Sequence, residues 1–343
     1  MATKKINKKN LYIALGAFVL LLAYVIIFGT EQTSNEKKKK KKLFNYVIAD
    51  VSKFEIQRPD SVITVEREGN NWFITKPRQL PASSSDVESY LIDVKDLSIE
   101  RELGKDIADL SPYGLDNPKY VLKIWLGTGK DAKLLTLKIG NQNPDKSGFY
   151  AKLENRPSLF LLETLAETTI DKQLFYFRNK DIFKVDVNNI NEIIVKNDKY
   201  EYKLEKVDGN WQMKSPVVSS NIKEADSTKI LTTISDLKVK SYYDGKNKVS
   251  LVDAAVLNPS VKIVLIDNNK KEYVLNIGTE VKNKSEYYGR RDDEDLIFGV
   301  DKYTIDNLQK DLLNLKKNIE EEKKKKEEAA RKKAEEAAKK NKK

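Results

Sequence analysis

The chain reads as an α+β protein: two tandem homologous modules of mostly antiparallel sheet with flanking helices, preceded by one transmembrane helix. Three observations predict this. Six short motifs recur in the same order at nearly constant spacing. Long stretches alternate apolar and polar residues with the period of a half-buried strand. Leu11 to Phe28 is an 18-residue run without a charge. Together they divide the chain into a basic N-terminus (1–10), a membrane anchor (11–28), a charged linker (29–45), a first module (46–180), a second module (181–317) and a Lys/Glu/Ala-rich tail (318–343).

The anchor comes first. LYIALGAFVLLLAYVIIF as a helix spans about 27 Å at 1.5 Å per residue, close to the thickness of the hydrocarbon core. A cleaved signal peptide has a shorter apolar region and ends in a small-x-small site; this run ends Ile26-Ile27-Phe28-Gly29-Thr30-Glu31. Lys4, Lys5, Lys8 and Lys9 before it favour a cytoplasmic N-terminus. The run from Lys37 to Lys42 competes, but it is farther away, and the first charges after the helix are acidic (Glu31, Glu36). The expected topology is one pass through a bacterial inner membrane with the modules on the extracytoplasmic side. Lys37–Lys42 and the C-terminal tail are the segments expected to touch anionic lipid or wall polymer.

The modules follow from self-similarity. Gly69-Asn70-Asn71-Trp72 recurs as Gly209-Asn210-Trp211, with Pro77 and Pro216 downstream. Asp96-Leu97 recurs as Asp236-Leu237, and Leu115-Asp116-Asn117-Pro118 as Leu257-Asn258-Pro259 with Ala255-Val256 in place of Tyr113-Gly114. Leu137-Lys138-Ile139-Gly140 recurs as Leu275-Asn276-Ile277-Gly278, Lys146-Ser147-Gly148-Phe149-Tyr150 as Lys284-Ser285-Glu286-Tyr287-Tyr288, and Thr169-Ile170-Asp171 as Thr304-Ile305-Asp306. In the first copy, residues 47–58 and 61–68 alternate as strands and a turn leads to a third strand carrying Trp72. Ser85 or Asp86 can cap a helix whose buried face is Val87, Tyr90, Leu91, Val94 and Leu97. Residues 111–115 form a turn. Strands follow at 120–126, 133–139, 149–153 and 159–162, and a helix over 165–177 closes the copy. The second copy repeats this over 189–317. Short turns between successive strands imply antiparallel pairing with helices segregated to one face.

Ile305, Leu308, Leu312, Leu315 and Ile319 form an apolar stripe that docks the last helix on the second copy. Beyond it, Glu-to-Lys pairs at i,i+4, such as Glu320→Lys324 and Glu327→Arg331, each stabilise a solvated helix by about 0.2–0.5 kcal/mol.

Composition narrows the chemistry. The net charge is +11, yet residues 1–42 and 316–343 carry the excess, leaving 40 basic against 43 acidic residues between them. The folded part offers no basic face for a phosphate backbone, so no nucleic-acid partner is expected. The chain has neither Cys nor His, which removes disulfides, thiol catalysis, the common zinc sites and His-based dyads.

The Gly-Asn-Trp strand with its downstream Pro, the Asp-Leu helix end, the Tyr113–Pro118 turn and the Leu-x-Ile-Gly strand resemble the bacterial family named domain of unknown function 4340, over roughly residues 47–315 and in two tandem copies. The resemblance implies an N-terminal anchor and, for some members, association with membrane transport systems of the ATP-binding-cassette type, including ones linked to gliding motility. It brings no catalytic residues.

No candidate site outweighs its bland reading. Trp72 and Trp211 read as core rather than stacking platforms. Asn117-Pro118 and Asn258-Pro259 read as turns leading into strands. Gly127-Thr128-Gly129-Lys130 lacks the span and following helix of a phosphate loop. Asp292-Asp293-Glu294-Asp295 lacks calcium-loop spacing and follows Arg290-Arg291. Lys146-Ser147 and Lys284-Ser285 are neighbours in extended chain, so they point apart. Asp96 and Asp236 read as equivalent helix ends. Catalytic, cofactor-binding and metal residues are therefore predicted as none. The expected function is a non-enzymatic accessory or binding subunit of an inner-membrane transport complex. The alternative is a glycan- or lipid-binding module using exposed tyrosines such as Tyr242-Tyr243.

Overall fold

The structure, a computed structural model, describes residues 16–24, 41–217 and 219–340. Residues 16–24 are helical (α1), and Phe18, Val19, Leu20, Leu21, Leu22 and Tyr24 are exposed. The ends of the predicted span, 11–15 and 25–28, lie outside the described residues, as do Lys37 to Lys40. Among the described residues no helix is long and apolar enough to cross a membrane.

The chain divides into two compact units, residues 1–177 and 178–343. The first holds β1 (Lys41–Lys42), β2 (Val51–Gln57), β3 (Val62–Glu68), β4 (Asn71–Lys76), β5 (Leu80–Pro81), α2 (Ser84–Asp96), β6 (Ser98–Lys105), β7 (Tyr120–Leu126), β8 (Lys133–Gln142), β9 (Gly148–Leu153), β10 (Ser158–Glu163), α3 (Leu165–Ile170) and α4 (Leu174–Phe177). Its one sheet runs β1-β6-β10-β9-β8-β7-β2-β3-β4-β5, antiparallel throughout. The second unit holds β11 (Ile190–Asn197), β12 (Glu201–Val207), β13 (Asn210–Ser215), β14 (Ser220–Asn221), α5 (Glu224–Ser235), β15 (Val239–Tyr242), β16 (Val261–Asp267), β17 (Glu272–Glu280), β18 (Glu286–Arg291), β19 (Ile297–Asp301) and α6 (Lys302–Lys340). Its sheet order, β14-β13-β12-β11-β16-β17-β18-β19-β15, is that of the first sheet without β1.

One face of each sheet is apolar and packs on helices. In the first unit Val87, Tyr90, Leu91 and Val94 of α2 are fully buried against β2 and β4, where Phe54, Tyr90 and Phe177 gather with ring centroids 5.0–5.4 Å apart. Trp72 completes that core at 1% exposure. In the second, α5 and the first half of α6 cover the sheet, and Ile305, Leu308, Leu312, Leu315 and Ile319 are all buried. Residues 320–336 of α6 are exposed throughout. There Lys323–Glu327 and Arg331–Glu335 close with the basic residue first, the reverse of the order read from sequence.

Several boundaries differ from the sequence reading. Ser83, not Ser85 or Asp86, caps α2: its Oγ accepts the Asp86 N–H. A whole strand, β6, lies where the sequence predicts no element, because Glu100, Arg101 and Glu102 interrupt the apolar pattern and Ile99 alone of its side chains is buried. The closing helix is two helices, broken at residues 171–173. Most importantly, the first module begins before residue 46. Lys41 and Lys42 pair with Ile99 and Ser98, and Leu43 and Phe44 are core residues. The second unit repeats this: Asp181 bridges Lys238, and Ile182 and Phe183 are buried. The paired segments are Lys42-Leu43-Phe44 and Asp181-Ile182-Phe183. Lys42 pairs with Asp96 and Lys41 lies 3.9 Å from Glu102, so the end of the lysine run belongs to the sheet.

Candidate functional site

The shared motifs prove structural. A 3-10 turn at Ser111–Tyr113 leads into Gly114 in the left-handed region (φ 66°), and a Cβ on Gly140 would collide with the Tyr113 carbonyl. In the second unit Ala255 takes the left-handed place (φ 54°), and a Cβ on Gly278 would meet the Ala254 carbonyl. The turn therefore rests its backbone on the strand glycine, which explains why Leu-x-Ile-Gly ends in Gly. It also corrects the alignment: Tyr113-Gly114-Leu115 corresponds to Ala254-Ala255-Val256. Leu115 and Val256 are both buried, whereas Leu257 is exposed.

The remaining candidates fall into place individually. Trp211 packs against the second core. Residues 127–130 sit in the β7–β8 turn, with Gly127 and Gly129 at φ 82° and 72°. Asp96 pairs with Lys42 in the first unit, and Asp236 is the C-cap of α5 in the second. Tyr242 and Tyr243 are not the exposed pair expected. Tyr242 lies under the Arg178 guanidinium, 3.2 Å from its ring centroid, and Tyr243 is buried edge-on against Tyr288.

Ser285 is not the partner of Lys284; Ser241 is. Lys284 Nζ lies 3.3 Å from both Ser241 Oγ and the Tyr243 hydroxyl, while Ser241 and Tyr243 donate to Glu286 at 2.5 and 3.0 Å. Burial alone would lower the Lys284 pKa. The Tyr243 hydroxyl and the Glu286 charge outweigh it and hold the ammonium above its usual range. Ser241 thus directs its proton to the Glu286 carboxylate rather than to Lys284. The acids of the 292–295 loop are paired as well. Arg290 lies 3.4 Å from Asp292 and 3.1 Å from Asp295, and Arg291 reaches Asp293 at 3.3 Å and also pairs with Glu294. Among the described residues no group of acids could hold a metal ion.

Beside that loop lies a cleft of about 450 Å³, a volume typical of ligand sites. The buried Ile182 and Phe183 and the exposed Lys184 and Lys271 line it together with Tyr273, Val274 and Arg291. Matching registers relate its lining to the first unit. Leu137 pairs with Leu153 in the first sheet and Leu275 with Arg291 in the second, so Tyr273 and Arg291 stand where the first unit has Leu135 and Leu153. Both leucines are buried core residues. Arg291 instead donates to the Ile182 carbonyl at 3.1 Å, and the Tyr273 hydroxyl to Asp267 at 3.2 Å. The Lys271 and Asn269 backbone N–H groups also bond Asp267, and with Tyr273 they hold its carboxyl below the usual range against the opposing effect of burial. Single-sequence reasoning misses the cleft because nothing in Lys-Glu-Tyr-Val distinguishes a pocket wall from an ordinary strand. The signal that could have found it is the exchange of two apolar positions for Tyr and Arg between aligned repeats.

No curated protein and no solved structure matches the chain. Residues 72–254 match the family described as domain of unknown function (DUF4340). The match is continuous from β4 into the turn before β16, so it does not divide the chain into two family copies. Since it covers more than half of the sequence, the chain belongs to the DUF4340 family.

Proposed function

We propose that this protein is a non-enzymatic, single-pass envelope protein, an accessory or binding subunit of a transport assembly of the ATP-binding-cassette type or of a gliding-motility-like machine. Residues 11–28 cross the bacterial inner membrane, with the N-terminus cytoplasmic and both units on the extracytoplasmic side. The observation that carries the reading is the cleft at Tyr273 and Arg291. The two units share one strand order, and where the first has Leu135 and Leu153 in its core the second has Tyr273 and Arg291 beside an open volume. Tyr273 and Arg291 are held by bonds to Asp267 and to the Ile182 carbonyl, and the volume left open beside them has the size of a ligand site. The locked Ser241–Lys284–Glu286 cluster supports binding over catalysis. The tether between residue 28 and β1 is 12 residues and extends to about 40 Å, long enough to hold the units against a neighbouring complex.

Membranes of the native host provide the test. The account predicts that the full chain stays in the pellet after an alkaline carbonate wash and co-purifies from detergent with an integral membrane protein. Recovery in the wash contradicts the anchor. Substrate turnover abolished by one carboxylate substitution contradicts the non-enzymatic role.

A further inference from the structure

We infer that one end of the second unit, the loop before β16 together with the turn between β17 and β18, docks on an anionic phospholipid surface, with Val252 and Leu257 inserted and lysines on the headgroups. The inference rests on the single-pass anchor of the reading above and names what the second unit does at that membrane.

The loop and the turn form one surface. Val261 pairs with Ile277, so the entry to β16 and the exit of β17 lie at the same end of the sheet. There Val249, Leu251, Ala254 and Val256 of the loop pack in a small cluster with Val281 of the turn, and the Thr279 N–H bonds the Ala254 carbonyl at 3.1 Å. Val252 and Leu257 stay out of that cluster: they are 76% and 55% exposed, while Ala254 and Val256 between them are buried. Lys246 and Lys248 precede Val249, Lys282 and Lys284 follow Val281, and all four are exposed. Asp244 is neutralised by Arg178 and Glu280 by Lys302, which leaves the four lysines against Asp253 and Glu286.

The first unit carries the same turn with a different surface. Its Leu115 N–H bonds Leu110 as Val256 bonds Leu251, and Gly114 bonds Ser111 as Ala255 bonds Val252. Ser111 and Asp116 thus stand where the second unit has Val252 and Leu257. Lys146 bonds Asn143 as Lys284 bonds Val281, which sets Pro144 and Asp145 against Lys282 and Asn283. Ahead of its turn the first unit has Asp106 and Asp109, and the second has Lys246 and Lys248. Both turns rest on a strand glycine in the same way, so backbone geometry does not account for the exchange. A lipid interface does: it buries the apolar tips, while lysine stems keep their ammonium groups at the phosphates. Each lysine near an anionic surface strengthens binding about fivefold. An anionic polymer also attracts the lysines but leaves Val252 and Leu257 in water.

The chain has no cysteine, so Val252→Cys places a single spin label on the loop and Ser111→Cys one on the matching turn of the first unit. The full chain is placed in nanodiscs of phosphatidylglycerol and, separately, of phosphatidylcholine. Collisions of each label with a water-soluble nickel complex and with lipid-dissolved oxygen are then measured. The expected result is lipid contact at 252 in phosphatidylglycerol, with nickel accessibility lower by at least about fivefold than in phosphatidylcholine. The 111 label should stay in water in both. Lys246→Glu with Lys248→Glu should return the 252 label to water. A 252 label open to nickel in phosphatidylglycerol, equal accessibility in the two lipids, equal lipid contact at 111, or contact that survives the charge reversal each overturns the docking while the anchor stands. A chain that does not enter the discs overturns the anchor and this inference together.

Discussion

At the scale of single residues, the glycines of the Leu-x-Ile-Gly motif carry more of the fold than any charged group. Gly278 lies under the Ala254 carbonyl, which belongs to a turn fixed by Ala255 N–H to Val252 and Val256 N–H to Leu251 bonds. A methyl there meets backbone rather than a movable side chain. Gly278→Ala should destabilise the protein by about 1–3 kcal/mol, visible as a lower denaturant midpoint with unchanged slope. Tyrosines set the alkaline limit. Burial, reinforced by a hydrogen bond to Asp306, pushes the Tyr287 phenol up to about 12, and burial raises Tyr46, Tyr90 and Tyr120 as well. The unfolded phenol ionises near 10, so this contribution is complete below pH 10 and is lost as pH rises toward 12. Tyrosinate absorbance should therefore rise together with loss of near-UV dichroism; a tyrosinate rise well before unfolding would refute it. The residue scale is also where the sequence is most legible. Val87, Tyr90, Leu91 and Val94 declare themselves because large apolar side chains at helical spacing line up on one face, and that face must leave water. Tyr242 and Tyr243 do not, because no local pattern announces a guanidinium from residue 178 lying over the ring.

At the scale of elements, β1 changes the meaning of the segment after the anchor. The linker reading stops at residue 45 because lysines dominate it, yet Leu43 and Phe44 enter the core while Lys41 and Lys42 hydrogen-bond the β6 edge. Phe44→Ala should cost about 3–5 kcal/mol, the usual loss for a buried Phe, whereas substituting Lys38 or Lys39 should leave the thermal midpoint unmoved. β6 is hidden for the opposite reason. Its Glu100, Arg101 and Glu102 read as loop, and only its place between β1 and β10 makes it a strand. β1 covers only Ser98 and Ile99, so Glu100, Arg101 and Glu102 lie along an open stretch of edge, where charges protect against pairing and mask the strand pattern.

At the scale of the whole chain, the repeat is legible because six motifs are spaced for turns and close backbone contacts, which tolerate few residue types. The cleft is not, because no local pattern around Tyr273 or Arg291 separates a pocket wall from an ordinary strand. Its recognition role is the central claim, and a photo-crosslinking residue tests it most directly. The crosslinker would be placed at Lys184 on the cleft rim and, separately, at Asn45, the corresponding position of the first unit, in the full chain expressed in its host. The account predicts a discrete protein adduct from position 184 that is absent from position 45. Identical adducts from both positions, or no adduct from 184, would contradict it.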